Sequence, residues 1–177
     1  MSEISPPYRW LEALTPLPLM IRYALAELGT IEVAGTADNP VILGWAREVG
    51  LATSYGSDAI PWCGLFMAVV AQRAGKAIPA RPLWALSWSR FGSEAERPLL
   101  GDVLVFKRDG GGHVALYAGE DDRAYHVLGG NQSDRVCFTR IARARLHAAR
   151  RPAYRVMPAT ARPYMLASGG GLSTNEA

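Results

Sequence analysis

The chain has little of the residue types that usually announce chemistry: two cysteines, three histidines and four phenylalanines in 177 positions. Two cysteines allow at most one disulfide, and a lone bridge is poorly supported without an export signal, so Cys63 and Cys137 are expected as reduced thiols. The start, Met1-Ser2-Glu3-Ile4-Ser5-Pro6-Pro7, lacks the basic and apolar regions of a secretory leader, which points to synthesis in the cytoplasm without a signal peptide. No apolar run approaches the roughly 20 residues of a membrane-crossing helix, so no membrane span is expected. Three scattered histidines without clustered carboxylates do not make a zinc site, and neither metal nor cofactor is expected. Acidic residues are missing from 135–163, which carries Arg135, Arg140, Arg143, Arg145, Arg150, Arg151, Arg155 and Arg162. Such a stretch is either a solvated face or a surface for a polyanion, an anionic wall or outer-membrane polymer held by Arg143, Arg145, Arg150 and Arg151. No aromatic or glycine pattern of a nucleic-acid module accompanies it, so no nucleic-acid partner is expected.

What is present suits one domain: a hydrophobic share of 49% is ample for a core. Apolar spacing from Pro18 to Leu28 ends at Gly29, and Asn39-Pro40 is a cap followed by proline at the first helical position, with Gly50 as the stop. A third helix is predicted from Cys63 to a stop at Gly75, and a short helical piece around Leu83 to Trp88. From Gly101 the pattern changes to short β-branched runs: 102–107, 113–118, 124–128, 135–140 and a fifth at 151–156. Glycine- and aspartate-rich turns separate them, so the second half reads as an antiparallel meander. Helices first and strands second predict an α+β domain, with the amino-terminal helices packed on an antiparallel sheet of about five strands.

Cys63 opens a helix, where the macrodipole and unpaired backbone N–H groups favour thiolate and can hold an oxyanion. A small buried hydrophobe is the alternative role for such a cysteine. His113 follows three glycines and opens a strand, a position from which it could serve as base to a nucleophile distant in sequence.

The segments PWCGLF, LLGDVLVF, GGGHVALYAGE and VLGGNQSDRV resemble the CHAP and NlpC-type papain-like peptidoglycan hydrolases, in particular their small bacterial and phage branch. The resemblance runs over roughly residues 19–155. It divides the chain into an N-terminal extension, 1–18, a papain-like hydrolase domain, 19–158, and a mostly disordered tail, 159–177. It implies a nucleophile Cys63, whose own backbone N–H contributes to an oxyanion hole, and a base His113, with a third polar residue orienting the imidazole. Asp102 matches the family's turn aspartate and is expected to fix the start of a strand through backbone bonds. Leu100 stands where the family often has proline, and Trp62 replaces the aspartate that many NlpC-type relatives carry before the cysteine, which places the chain nearer the CHAP side. If the hairpin turns at Asp121-Asp122, Gly130 faces His113, while His126 faces Tyr117, about 13 Å along the sheet. A bulge at Gly129-Gly130 would then turn Asn131 inward, so Asn131 is the expected third residue, with His126 as the NlpC-type alternative.

The activity implied is cleavage of amide bonds in the cell-wall peptide through a Cys thioester, as an amidase or an endopeptidase. Without an export signal, the protein would reach peptidoglycan as a phage endolysin released through a lysis pore or as an effector injected into a rival cell, the latter with an immunity protein as partner. Two alternatives are a papain-like acyltransferase, passing the thioester to lipid amines or alcohols, and a non-catalytic wall-binding module.

Overall fold

The computed structural model describes residues 3–35 and 37–175. Helices α1 (Leu19–Ala26), α2 (Pro40–Glu48) and α3 (Cys63–Arg73) come first. Asn39 caps α2 as its sequence predicts, its Oδ1 accepting from the Val41 N–H at 2.8 Å, with Pro40 at the first turn. In α3 every residue from Cys63 to Ala71 is buried, as befits a helix apolar all round. It packs against α1, α2 and the sheet.

Six strands follow: β1 (Ser93–Glu94), β2 (Val103–Arg108), β3 (Gly111–Glu120), β4 (Ala124–Gly129), β5 (Cys137–Ala142) and β6 (Leu146–Arg151). They form one antiparallel sheet in the order β1-β6-β2-β3-β4-β5. Side chains alternate between its faces. Val103, Val105, Val114, Leu116 and Leu128 join the helices in the main core. Leu104, Phe106, Ala115, Tyr117 and Val127 form a smaller cluster on the other side. The architecture is thus α+β, with a sixth, two-residue strand beyond the five expected.

Four differences from the sequence reading have physical causes. The fifth strand lies at 146–151 rather than 151–156. Leu146-His147-Ala148-Ala149 has no strong strand pattern of its own, and pairing with β2 supplies the order. The β3–β4 turn falls one residue later, with the Asp121 N–H donating to the Ala124 carbonyl at 2.9 Å. The bulge lies on β3 between Tyr117 and Gly119, not at Gly129-Gly130. The stretch read as an N-terminal extension contains a 3-10 segment, Pro6–Ala13, whose Tyr8 and Leu11 are buried in the main core.

The stretch read as a disordered tail is also placed against the sheet. The Leu166 N–H donates to the Glu120 carbonyl and the Glu120 N–H to the Tyr164 carbonyl, alongside the part of β3 that β2 does not reach. Further on, the Ser173 N–H donates to the Arg140 carbonyl of β5, and the Ser133 N–H to the Asn175 carbonyl.

Candidate active site

The start of α3 is built without a side-chain cap. Trp62 occupies the cap position, and its indole N–H is directed instead to Glu32 Oε2 at 3.1 Å. The amides of the first turn therefore remain available to the Cys63 sulfur. Backbone N–H groups of Val114, Gly64 and Cys63 itself act on the thiol to lower its pKa. Val114 can donate because β3 pairs with β4 only from Leu116 onward, leaving its N–H facing the sulfur.

This arrangement pulls the thiol towards ionisation, as the helix-end argument requires, but burial is the larger effect. Cys63 is 3% exposed, and desolvation raises its pKa above the ordinary thiol value in spite of the three amides and the nearby Arg108 charge. Burial thus acts against a standing thiolate. The expectation of a thiolate set by the helix end alone is corrected on this point.

The residue before Val114 is His113, fully buried on β3 opposite Phe106. Its Nε2 lies 3.1 Å from Gln132 Oε1. Gln132 donates its Nε2–H to the Cys137 carbonyl at 2.5 Å, which fixes its amide so that oxygen faces the ring. The His113 nitrogen at that contact must then donate. Neutral His113 carries its proton on Nε2 and its lone pair on Nδ1.

The amide bound to the ring belongs to Gln132, not to Asn131, one residue earlier. β4 ends at Gly129, and the chain then winds tightly through Asn131 (φ 56), Ser133 (φ 52) and Asp134 (φ 60). These left-handed residues turn the loop so that Gln132 reaches back. The Gly129 side of the strand leaves room for it, since a Cβ there would lie 2.8 Å from Gln132 Oε1. The signal in the sequence was the run of turn formers itself, because Asn and Asp tolerate positive φ and mark backbone duty.

His126 is placed elsewhere. Its Nε2 is 2.8 Å from Asp121 Oδ2 and its Nδ1 2.8 Å from the Tyr8 hydroxyl, and Arg140 completes the cluster at 2.7 Å from the same carboxylate oxygen. Burial lowers the His126 pKa against the pull of Asp121. Burial acts to raise Asp121, and bonds from the Arg123 N–H, His126 and Arg140 together outweigh it and leave the carboxyl well below its usual range. Asp102 does fix a strand start: its Oδ2 accepts from the Leu99 N–H at 2.9 Å and pairs with Arg151 at 2.8 Å.

The arginines expected to meet a polyanion are each engaged by the protein. Arg143 pairs with Glu120 at 3.2 Å and lies over the Tyr125 ring, and Arg151 pairs with Asp102. Arg150 donates to the Phe91 and Gly92 carbonyls, and Arg145 to those of Lys107 and Ser173. Each of the four thus has at least one partner within the protein.

Cys63 lies at the floor of an open cleft of about 330 Å³ between Ile60-Pro61, Leu83 to Ala85 and the β2–β3 hairpin tip. Among the described residues no group of three or more His, Cys, Asp or Glu side chains could hold a metal ion, and no helix is long and apolar enough to cross a membrane. No family model, curated protein or solved structure matches the chain.

Proposed function

We propose that the protein is a papain-like cysteine hydrolase that cleaves amide bonds in the peptide of bacterial peptidoglycan. The observation that carries this reading is the convergence at Cys63. A thiol at the start of α3 lines an open cleft, with backbone N–H groups of Val114, Gly64 and Cys63 acting to lower its pKa. The resemblance of PWCGLF, GGGHVALYAGE and VLGGNQSDRV to CHAP-type enzymes supplies the substrate class.

The chemistry starts from a neutral thiol. The resemblance assigns His113 as the base that takes the Cys63 proton as the sulfur attacks the scissile carbonyl, because burial opposes a standing thiolate. The oxyanion is held by backbone N–H groups at the α3 terminus, including that of Cys63. The imidazolium gives its proton to the leaving amine, the C–N bond breaks and a thioester remains on Cys63. Water, deprotonated by His113, then releases the acid and restores the thiol. Gln132 is a positioning residue, whose oxygen holds the ring and stabilises its charged form. The enzyme meets its substrate after release from the producing cell through a lysis pore or by injection into a rival.

The test is mass spectrometry of purified peptidoglycan after incubation with the protein and with Cys63→Ala. The expected result is one new class of free amine and carboxyl ends with the native protein and none with the variant, which should keep its fold. Digests without new ends, or with ends that persist in Cys63→Ala, overturn the reading.

A further inference from the structure

Some arginines are matched with acid: Arg73 with Glu27 and Glu48, Arg140 with Asp121, Arg143 with Glu120 and Arg151 with Asp102. Arg108 has no such pair among the described contacts. It is exposed at the end of β2, on the wall of the Cys63 cleft, and its described contact is a long one, from Nε to the Gly112 carbonyl at 3.4 Å. Its charge reaches the thiol, on which it acts to lower the pKa. The hairpin residues that share the cleft lining with it, Gly110 to Gly112, present no side chain.

Trp84 forms the opposite wall. It is 49% exposed, with the Arg81 guanidinium 4.7 Å from its ring centre. A second cleft of about 420 Å³ continues beyond it, with Arg81 and Arg90 in its walls. Neither cleft has an acidic side chain in its lining. The groove leading to the nucleophile thus offers cations at intervals and one broad indole face, with no carboxylate of its own.

Resting on the hydrolase reading, we infer that this groove selects an acidic acyl donor: a peptide with a free carboxylate near the scissile bond, bound by Arg108, whose backbone lies across Trp84. A guanidinium binds a carboxylate through two parallel N–H bonds, which gives orientation as well as attraction. An amidated donor of the same shape would leave the fork without an anionic partner. Because Arg108 is exposed, the discrimination is moderate, about tenfold.

The experiment compares two synthetic wall peptides that differ only in a free carboxylate or a carboxamide beside the cleaved bond. KM and kcat are measured for the native protein, Arg108→Gln and Arg108→Lys. The native protein should favour the acid form about tenfold, mainly through KM. Arg108→Gln should bring the ratio close to one, and Arg108→Lys should retain part of it. Equal rates on both peptides, or a ratio unchanged in Arg108→Gln, overturn the inference. Calorimetric binding to Cys63→Ala separates its failure from that of the hydrolase reading. Tighter binding of the acid form upholds the subsite even where neither peptide is cleaved, and equal affinities refute it even where both are.

Discussion

The first-turn amides of α3 and the burial of Cys63 act on the same proton in opposite senses, and burial is the stronger. Iodoacetamide modification of the native protein should therefore be slow at neutral pH and still be climbing above about 8.5, the ordinary thiol range. A plateau reached below pH 7 would mean that thiolate is already formed at rest. A second prediction separates the two polar clusters on β3 and β4. Gln132→Ala should lower turnover per folded molecule by about one to two orders of magnitude, since the ring loses its orienting oxygen. His126→Ala should do the reverse: Asp121 and the Tyr8 hydroxyl each lose a buried partner, at a cost of about 1–3 kcal/mol in unfolding free energy, with turnover per folded molecule near native. Rates and denaturant midpoints for both variants check this, and the opposite pattern would make His126 the orienter. Cys63 and His113 draw attention in the sequence because proline, tryptophan and glycine mark their positions as boundaries. Gln132 does not, because a one-residue displacement of the turn and a left-handed run decide which amide of Asn131-Gln132 faces the ring, and neither is set by local pattern.

At the scale of elements, the site depends on how tightly α3 is pressed onto its surroundings. A Cβ on Gly64 would lie 2.3 Å from the Pro82 carbonyl oxygen and 2.8 Å from that of Leu83, both backbone atoms. On the other flank, a Cβ on Gly130 would lie 2.6 Å from Phe66 Cβ. Gly64→Ala should therefore destabilise the protein by about 1–3 kcal/mol and shift Cys63 within its amides. Gly44→Ala, inside α2 with Arg47 Nη2 as nearest neighbour at 3.8 Å, should stabilise it by about 0.5–1 kcal/mol. Thermal unfolding of the two variants, with thiol alkylation of the first, tests the contrast. A Gly64→Ala protein as stable and as reactive as native would refute this close fit. The helices were readable because caps and stops are local chemistry, as at Asn39. The last strand was misplaced because β6 owes its conformation to β2, and the stretch that looked more like a strand, around Tyr154-Arg155-Val156, has no ladder to join.

In the whole molecule the uneven charge of the sequence is partly cancelled in space. Arg140, Arg143 and Arg151, from the stretch without acids, meet Asp121, Glu120 and Asp102 from the stretch with an acidic balance. Both ends of the described chain are fastened to the same strand pair: Tyr8 bonds His126 of β4 and stacks on Phe138 of β5 at 4.0 Å, while Ser173 bonds the Arg140 carbonyl. The fastening at β5 has a further effect, on how copies of the protein behave towards one another. An outer strand with unpaired carbonyls and amides is a template for a neighbour's strand. Here one border of the sheet is only two residues long, and the other is bridged by Ile31 at Arg135 and by Ser173 at Arg140. Removing residues 167–175 should uncover that second border and turn a solution of constant particle size into one whose mass rises with concentration, readable by light scattering. Unchanged scattering would show that the bridge at Ile31 is cover enough. One border cut to two residues and the other crossed by these bridges offer a neighbouring copy only short lengths of bare strand to grow from.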